Sequence, residues 1–163
     1  MDFFRRSEKV PSLFTYDRIL VPLLGDDAVD QPALAVAAML LVGREAAEAS
    51  LLHVIEVPFE ANLDAEDPEA VAQADEILRR ADLYLAEHKV QARSSTVQAR
   101  AAGPAIVDEL NELGAQLIVM GLRYKMRFGG QWDAGRTVPY VMRNSTAPVW
   151  CLRAETEELA HTP

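Results

Sequence analysis

Seven residues between positions 123 and 136 hold the densest chemistry of the sequence. Arg123, Lys125, Arg127 and Arg136 are cations in a chain of formal net charge -9, and Tyr124, Phe128 and Trp132 stand among them. A guanidinium makes paired hydrogen bonds to phosphate oxygens, and an aromatic ring stacks on a flat heterocycle. The segment supports two readings. One is a site for an anion or a nucleotide. The other is a solvated loop whose aromatics tuck under a sheet or into a subunit interface. Gly121 and Gly135 flank the segment, and Gly25 stands in an earlier loop. Glycine allows backbone amides to approach a phosphate closely.

The remaining reactive residue types form no catalytic set. His53, His88 and His161 are far apart, and none has His, Cys or carboxylate neighbours at metal-ligand spacing. His53 lies in an apolar run and is expected as a hydrogen-bonded core histidine. The pair Asp26-Asp27 is better explained by a turn and a helix start, where negative charge meets the helix dipole. Ser94-Ser95-Thr96 fits strand propensity rather than a nucleophile. Cys151, the single cysteine, sits in Val149-Trp150-Cys151-Leu152 and reads as a core thiol. It can form no internal disulfide, which suits a reducing compartment. The sequence contains no nucleophile elbow, no Walker loop and no Gly-x-Gly-x-x-Gly fingerprint. The expectation is a protein that is not an enzyme and holds no metal.

These residues need elements to position them. Ile19-Leu20-Val21-Pro22-Leu23-Leu24 is a continuous apolar run, as in a strand buried on both faces of a parallel sheet. Asp30 followed by Pro32 reads as the start of a helix that runs to about Glu48. Ser50 to Ile55 gives a second buried strand. Asp67-Pro68 opens a long helix, with Val71, Ala74, Leu78, Ala81 and Leu85 on one face. Residues 92–99 form a weaker, polar strand suited to an edge. Gly103-Pro104 starts a short helix that Gly114 stops. Gln116 to Gly121 is the clearest buried strand. A glycine-containing loop, a helix near 135–144 and a strand at 148–153 follow. Strands alternating with helices imply parallel strands, right-handed crossovers and helices on both sheet faces.

The bulk numbers agree with one globular domain. The chain has 163 residues, of which 50% are hydrophobic and 25% charged. Its acidity opposes nucleic acid and anionic membrane, and otherwise serves solubility. The longest apolar run, Pro32 to Val42, falls far short of the ~20 residues of a membrane span, and no signal peptide is visible. The division expected is an arm or linker at 1–16, a domain at 17–153 and an acidic tail at 154–163.

Four segments in this order resemble the universal stress protein family: Tyr16 to Pro22, Leu51 to Val57, Gly114 to Gly121 and Met142 to Val149. The resemblance implies a doubly wound five-stranded parallel sheet of order 3-2-1-4-5, of the adenine nucleotide hydrolase-like type. It also implies a non-catalytic regulatory or stress-response module. An adenine nucleotide such as ATP or AMP is the ligand so implied. It would meet Pro22, Leu23 and Leu24 after strand one, Val54 of strand two, Met120, Gly121, Arg123 and Tyr124 around strand four, and Gly135, Arg136 and Thr137 before the last helix. This chain departs from the family's ATP-binding pattern at three points. Leu24 stands for the Asp that meets adenosine, Tyr124 for the second glycine, and Arg136 for the hydroxyl residue after Gly135. These departures argue against ATP bound in the family's manner. Family dimers imply a homodimer through the final strand, at Val149, Trp150, Cys151 and Leu152. The alternative is a cytoplasmic regulatory domain of a membrane transporter such as an amino-acid or cation permease. The arm, with Arg5, Arg6 and Lys9, reads equally as a linker. A nucleotide-hydrolysing enzyme of a related fold is the third reading, and no base or nucleophile supports it.

Overall fold

Successive residues of the first strand belong to different cores. Ile19, Val21 and Leu23 pack with Ala49, Leu51, Leu117 and Val119 in one apolar cluster. Leu20 packs with Leu52, Ile118 and Met120 in another. A side-chain period of two puts neighbours on opposite faces, so a strand apolar at every position is buried on both. Fully burying each such Leu or Ile contributes roughly 1.5–3 kcal/mol.

The computed structural model describes residues 15–65, 67–123, 125–127 and 131–153. Most of the arm (1–14) and the whole acidic tail (154–163) lie outside these residues. The elements are β1 (Arg18–Leu23), α1 (Asp27–Leu41), β2 (Glu48–Glu56), α2 (Pro68–Glu87), β3 (Gln91–Ala99), α3 (Ala102–Leu113), β4 (Leu117–Leu122), β5 (Lys125–Arg127), β6 (Gln131–Asp133), α4 (Thr137–Asn144) and β7 (Val149–Arg153). The main sheet has five strands in the order β3-β2-β1-β4-β7. All its pairings are parallel, with Ile19 beside both Ala49 and Leu117. Helices α1 and α2 supply the first cluster, and α3 and α4 the second. This is the doubly wound order 3-2-1-4-5 that the family resemblance implies, with polar β3 at one edge and β7 at the other.

Helix α2 begins as its sequence dictates. The Asp67 side chain accepts from Glu69 N (3.0 Å) and Ala70 N (3.2 Å), and Pro68 occupies the first turn. Its buried stripe is Ala74, Ile77, Leu78, Ala81 and Leu85.

Helix α1 differs from expectation at both ends. Asp26, not Asp30, is its cap, accepting from Ala28 N at 3.1 Å. Asp30 lies inside the first turns and is buried, its carboxylate turned back to the preceding loop. Pro32 lies inside the helix beyond its first turn, where the i→i−4 ladder has already begun at Asp30 N, and so leaves the Ala28 carbonyl without its amide. The helix ends at Leu41 rather than Glu48, because β2 already begins at Glu48. A second difference is the antiparallel pair β5–β6, with Met126 opposite Trp132, in the segment read as a loop.

Candidate functional site

Strand β1 lies between β2 and β4, so the connections leaving its carboxyl end part in opposite directions. A crevice at such a switch is where ligands enter open parallel sheets. Two cavities adjoin there. The first, about 220 Å³, is lined by Pro22, Leu23 and Leu24 from β1 and the turn after it. Leu52, His53, Val54 and Glu56 of β2, Ala102 and Ile106 of α3, and Thr137 of α4 complete it. The second, about 310 Å³, is lined by Leu24, Arg123 and residues Asp133 to Val138. Leu24 and Thr137 belong to both. The result is one cleft with an apolar chamber and a polar one. A further cavity of about 210 Å³ opens on the other face between α1 and α2. It lies away from Gly135 and the basic segment.

The residues singled out from the sequence divide into three groups. Pro22, Leu23, Leu24, Val54 and Thr137 line the first chamber, and Arg123, Gly135 and Arg136 the second. Met120 and Gly121 line neither. Met120 is wholly buried in the second core. Gly121 lies in β4, where a Cβ would meet the Val29 carbonyl oxygen at 2.1 Å. The missing side chain at Gly121 therefore lets α1 pack directly on β4. Tyr124 and Phe128 lie outside the described residues, and Lys125, Arg127 and Trp132 fall in the β5–β6 pair.

Sequence reasoning missed His53, Glu56, Ala102, Ile106 and Asp133 as lining residues. His53 is half-buried rather than core, and its Nδ1–H donates to the Leu23 carbonyl (2.9 Å). That bond leaves Nε2 as the acceptor of the neutral ring. The available signal was position: His53 interrupts the apolar run of the second strand and Glu56 closes it, toward the end where ligands bind.

Carboxylates dominate the electrostatics of the rim. Asp26 ion-pairs with Arg123 while capping α1. Asp30 accepts from Leu24 N (2.9 Å) and Gly25 N (2.8 Å). Burial pushes the Asp30 carboxyl above its ordinary range, against the pull of those two amides. Asp133 Oδ1 accepts from Gly135 N at 2.9 Å, and Gly135 has φ +72. Glu56 Oε1 accepts from Ala102 N at 2.7 Å, serving a helix whose own cap, Ala101, makes no side-chain bond. Cys151, half-buried in β7, has its thiol pKa raised by burial, which disfavours the thiolate. Among the described residues no group of three His, Cys, Asp or Glu side chains is placed to hold a metal ion. None of the described helices is long and apolar enough to cross a membrane.

Solved structures with this architecture include the hypothetical protein MJ0577, 20% identical with a TM-score of 0.72, covering 88% of this chain and 99% of that one. The universal stress protein from Archaeoglobus fulgidus in complex with dAMP is 20% identical, with a TM-score of 0.65 over 84% of this chain and 98% of its own. A universal stress protein family protein from Arabidopsis thaliana with AMP bound is 13% identical, with a TM-score of 0.63 over 86% and 94%. No curated protein sequence matches the chain. The profile of the Universal stress protein family matches residues 15–153, and the chain belongs to that family.

Proposed function

We propose that this chain is a non-catalytic regulatory module that holds an adenine nucleotide in the cleft at the carboxyl ends of β1, β2 and β4. The observation that carries this reading is the junction of the two chambers at Leu24 and Thr137. A nucleotide needs apolar walls for its base beside polar groups for its sugar and phosphate. The first chamber offers Val54 and Ile106, and the second brings Arg123 and Arg136. The relatives bound to dAMP and AMP support the same ligand class. Leu24, 38% exposed at the junction, offers no acceptor to an adenosine, so binding in the manner of the family's ATP-binding members is not part of the reading.

Calorimetry with adenosine, AMP and ATP tests it. Adenosine or AMP should bind at one site per chain, and Ala102→Trp, which fills the apolar chamber, should abolish the heat while circular dichroism stays unchanged. Undiminished binding by that variant would move the ligand elsewhere.

In the same reading a second copy pairs along β7. Val149, Trp150, Cys151 and Leu152 are half-buried at the edge of the sheet. A partly apolar edge strand is an open template for pairing. The transporter alternative would place the same cleft in a cytoplasmic regulatory domain, and residues 1–14, on which it draws, lie outside the described residues.

A further inference from the structure

Several of the cleft's donors are already occupied by the chain's own acids, whereas α4 starts at Arg136 without a side-chain cap and is left to meet a first phosphate. In an anion site at glycine loops, backbone amides and a guanidinium would meet the phosphates. Here Leu24 N and Gly25 N donate to Asp30, and Ala28 N donates to Asp26. Gly135 N donates to Asp133, and Arg123 is paired with Asp26. On the apolar side, Ala102 N at the start of α3 donates to Glu56. Asp133 and Glu56 each line a chamber, and Asp26 is held at the mouth through Arg123, which lines the second.

A triphosphate that reaches beyond the start of α4 must displace these carboxylates from their donors and then remain beside them. The acids are tethered by short side chains and cannot leave. Like charges a few ångströms apart at a partly exposed site oppose each other, and a phosphate that draws Arg123 away from Asp26 uncovers that carboxylate. The base and ribose carry no such charge and meet the apolar chamber without that conflict. We infer that Asp26 and Asp133 set the ligand specificity of the cleft: they stand where a polyphosphate would lie, so the site accepts a nucleoside or nucleoside monophosphate and rejects the triphosphate. This rests on the nucleotide reading above, and adds a cause for phosphate selection that is independent of the residues missing from the family motif.

The test compares the full chain with its Asp26→Asn/Asp133→Asn double variant by calorimetry. Asparagine retains a side-chain oxygen for both backbone amides, so α1 and the turn before α4 keep their bonds. Affinity for adenosine should stay within about twofold, and affinity for ATP should rise by roughly tenfold or more. Salt should strengthen ATP binding to the wild type, by screening repulsion, and weaken it in the variant. Unchanged ATP affinity with adenosine still bound would overturn the inference and leave the nucleotide reading intact. Absence of any nucleoside or nucleotide binding in both proteins would remove the nucleotide reading. Inorganic tripolyphosphate then still interrogates the carboxylates. Thermal stabilisation of the variant but not the wild type supports their role, and an equal response in both overturns it.

Discussion

Gly121 and Asp30 show how closely the cleft's floor is set by single residues. A methyl group at Gly121 would lie 2.1 Å from the Val29 carbonyl oxygen, and a backbone atom cannot swing aside. Gly121→Ala should therefore destabilise the fold by about 3 kcal/mol, the upper end of overpacking costs, as read by urea denaturation. A glycine serving only phosphate approach would tolerate alanine when no ligand is present. Asp30 holds the first loop through two amides, and asparagine can accept from only one with its oxygen while its NH2 opposes the other. Asp30→Asn should cost roughly 1–3 kcal/mol. The pH dependence has a defined sign. Because burial raises the folded pKa of Asp30, the folded protein retains that proton to higher pH than the unfolded chain. The contribution is complete below the unfolded value and falls as pH rises through the folded one. The stability gap between wild type and Asp30→Asn should thus widen as pH falls from neutral toward about 4; a narrowing gap would contradict the assignment.

Among the elements, the buried strands were legible because burial on both faces leaves no polar position to hide the pattern. Helix α2 was legible for a local reason: cap, first-turn proline and apolar stripe are contiguous from Asp67 onward. Helix α1 presented two acids and a proline that fit two starts, and only Asp30's bonds to Leu24 and Gly25 separate them. Strands β5 and β6 are three residues each, too short for an alternation to register. The site was half legible. Its position followed from strand order, but the contacts of its acids do not. Asp26 meets Arg123 across 97 residues, and Glu56 meets Ala102 across 46. The second of these gives an element-scale prediction. Helix α3 borrows its cap from β2, so Glu56→Ala should lower stability by about 1 kcal/mol. Ala101→Ser should recover much of that by supplying a local cap, measurable as a paired shift in thermal midpoint.

At the scale of the whole molecule, the two edges of the sheet are unequal. Strand β3 is polar, with Arg93 paired to Glu48 at 2.9 Å, whereas β7 carries Val149 to Leu152. If copies pair along β7, Val149→Arg should convert a dimer into a monomer in sedimentation at micromolar concentration. The equivalent charge on β3, Ser94→Arg, should leave the dimer unchanged.

The anchoring of the first strand has a further consequence. Arg44 bonds the Tyr16 carbonyl and Asp17, and Gln116 Oε1 accepts from Asp17 N at 2.7 Å. The Tyr16 ring meets Trp150 edge-on with centroids 6.2 Å apart. The chain is thus clamped at the amino end of the sheet, one strand length (about 20 Å) from the cleft. It leaves at Arg153, level with Leu122 and next to the cleft's Arg123 in the neighbouring connection. The described chain therefore enters the sheet at its blind end and reaches Arg153 at the end that holds the cleft. An environment-sensitive dye on a cysteine introduced at Arg153, in a Cys151→Ser background, should change emission when the cleft fills. The same dye at Asp17 should stay silent.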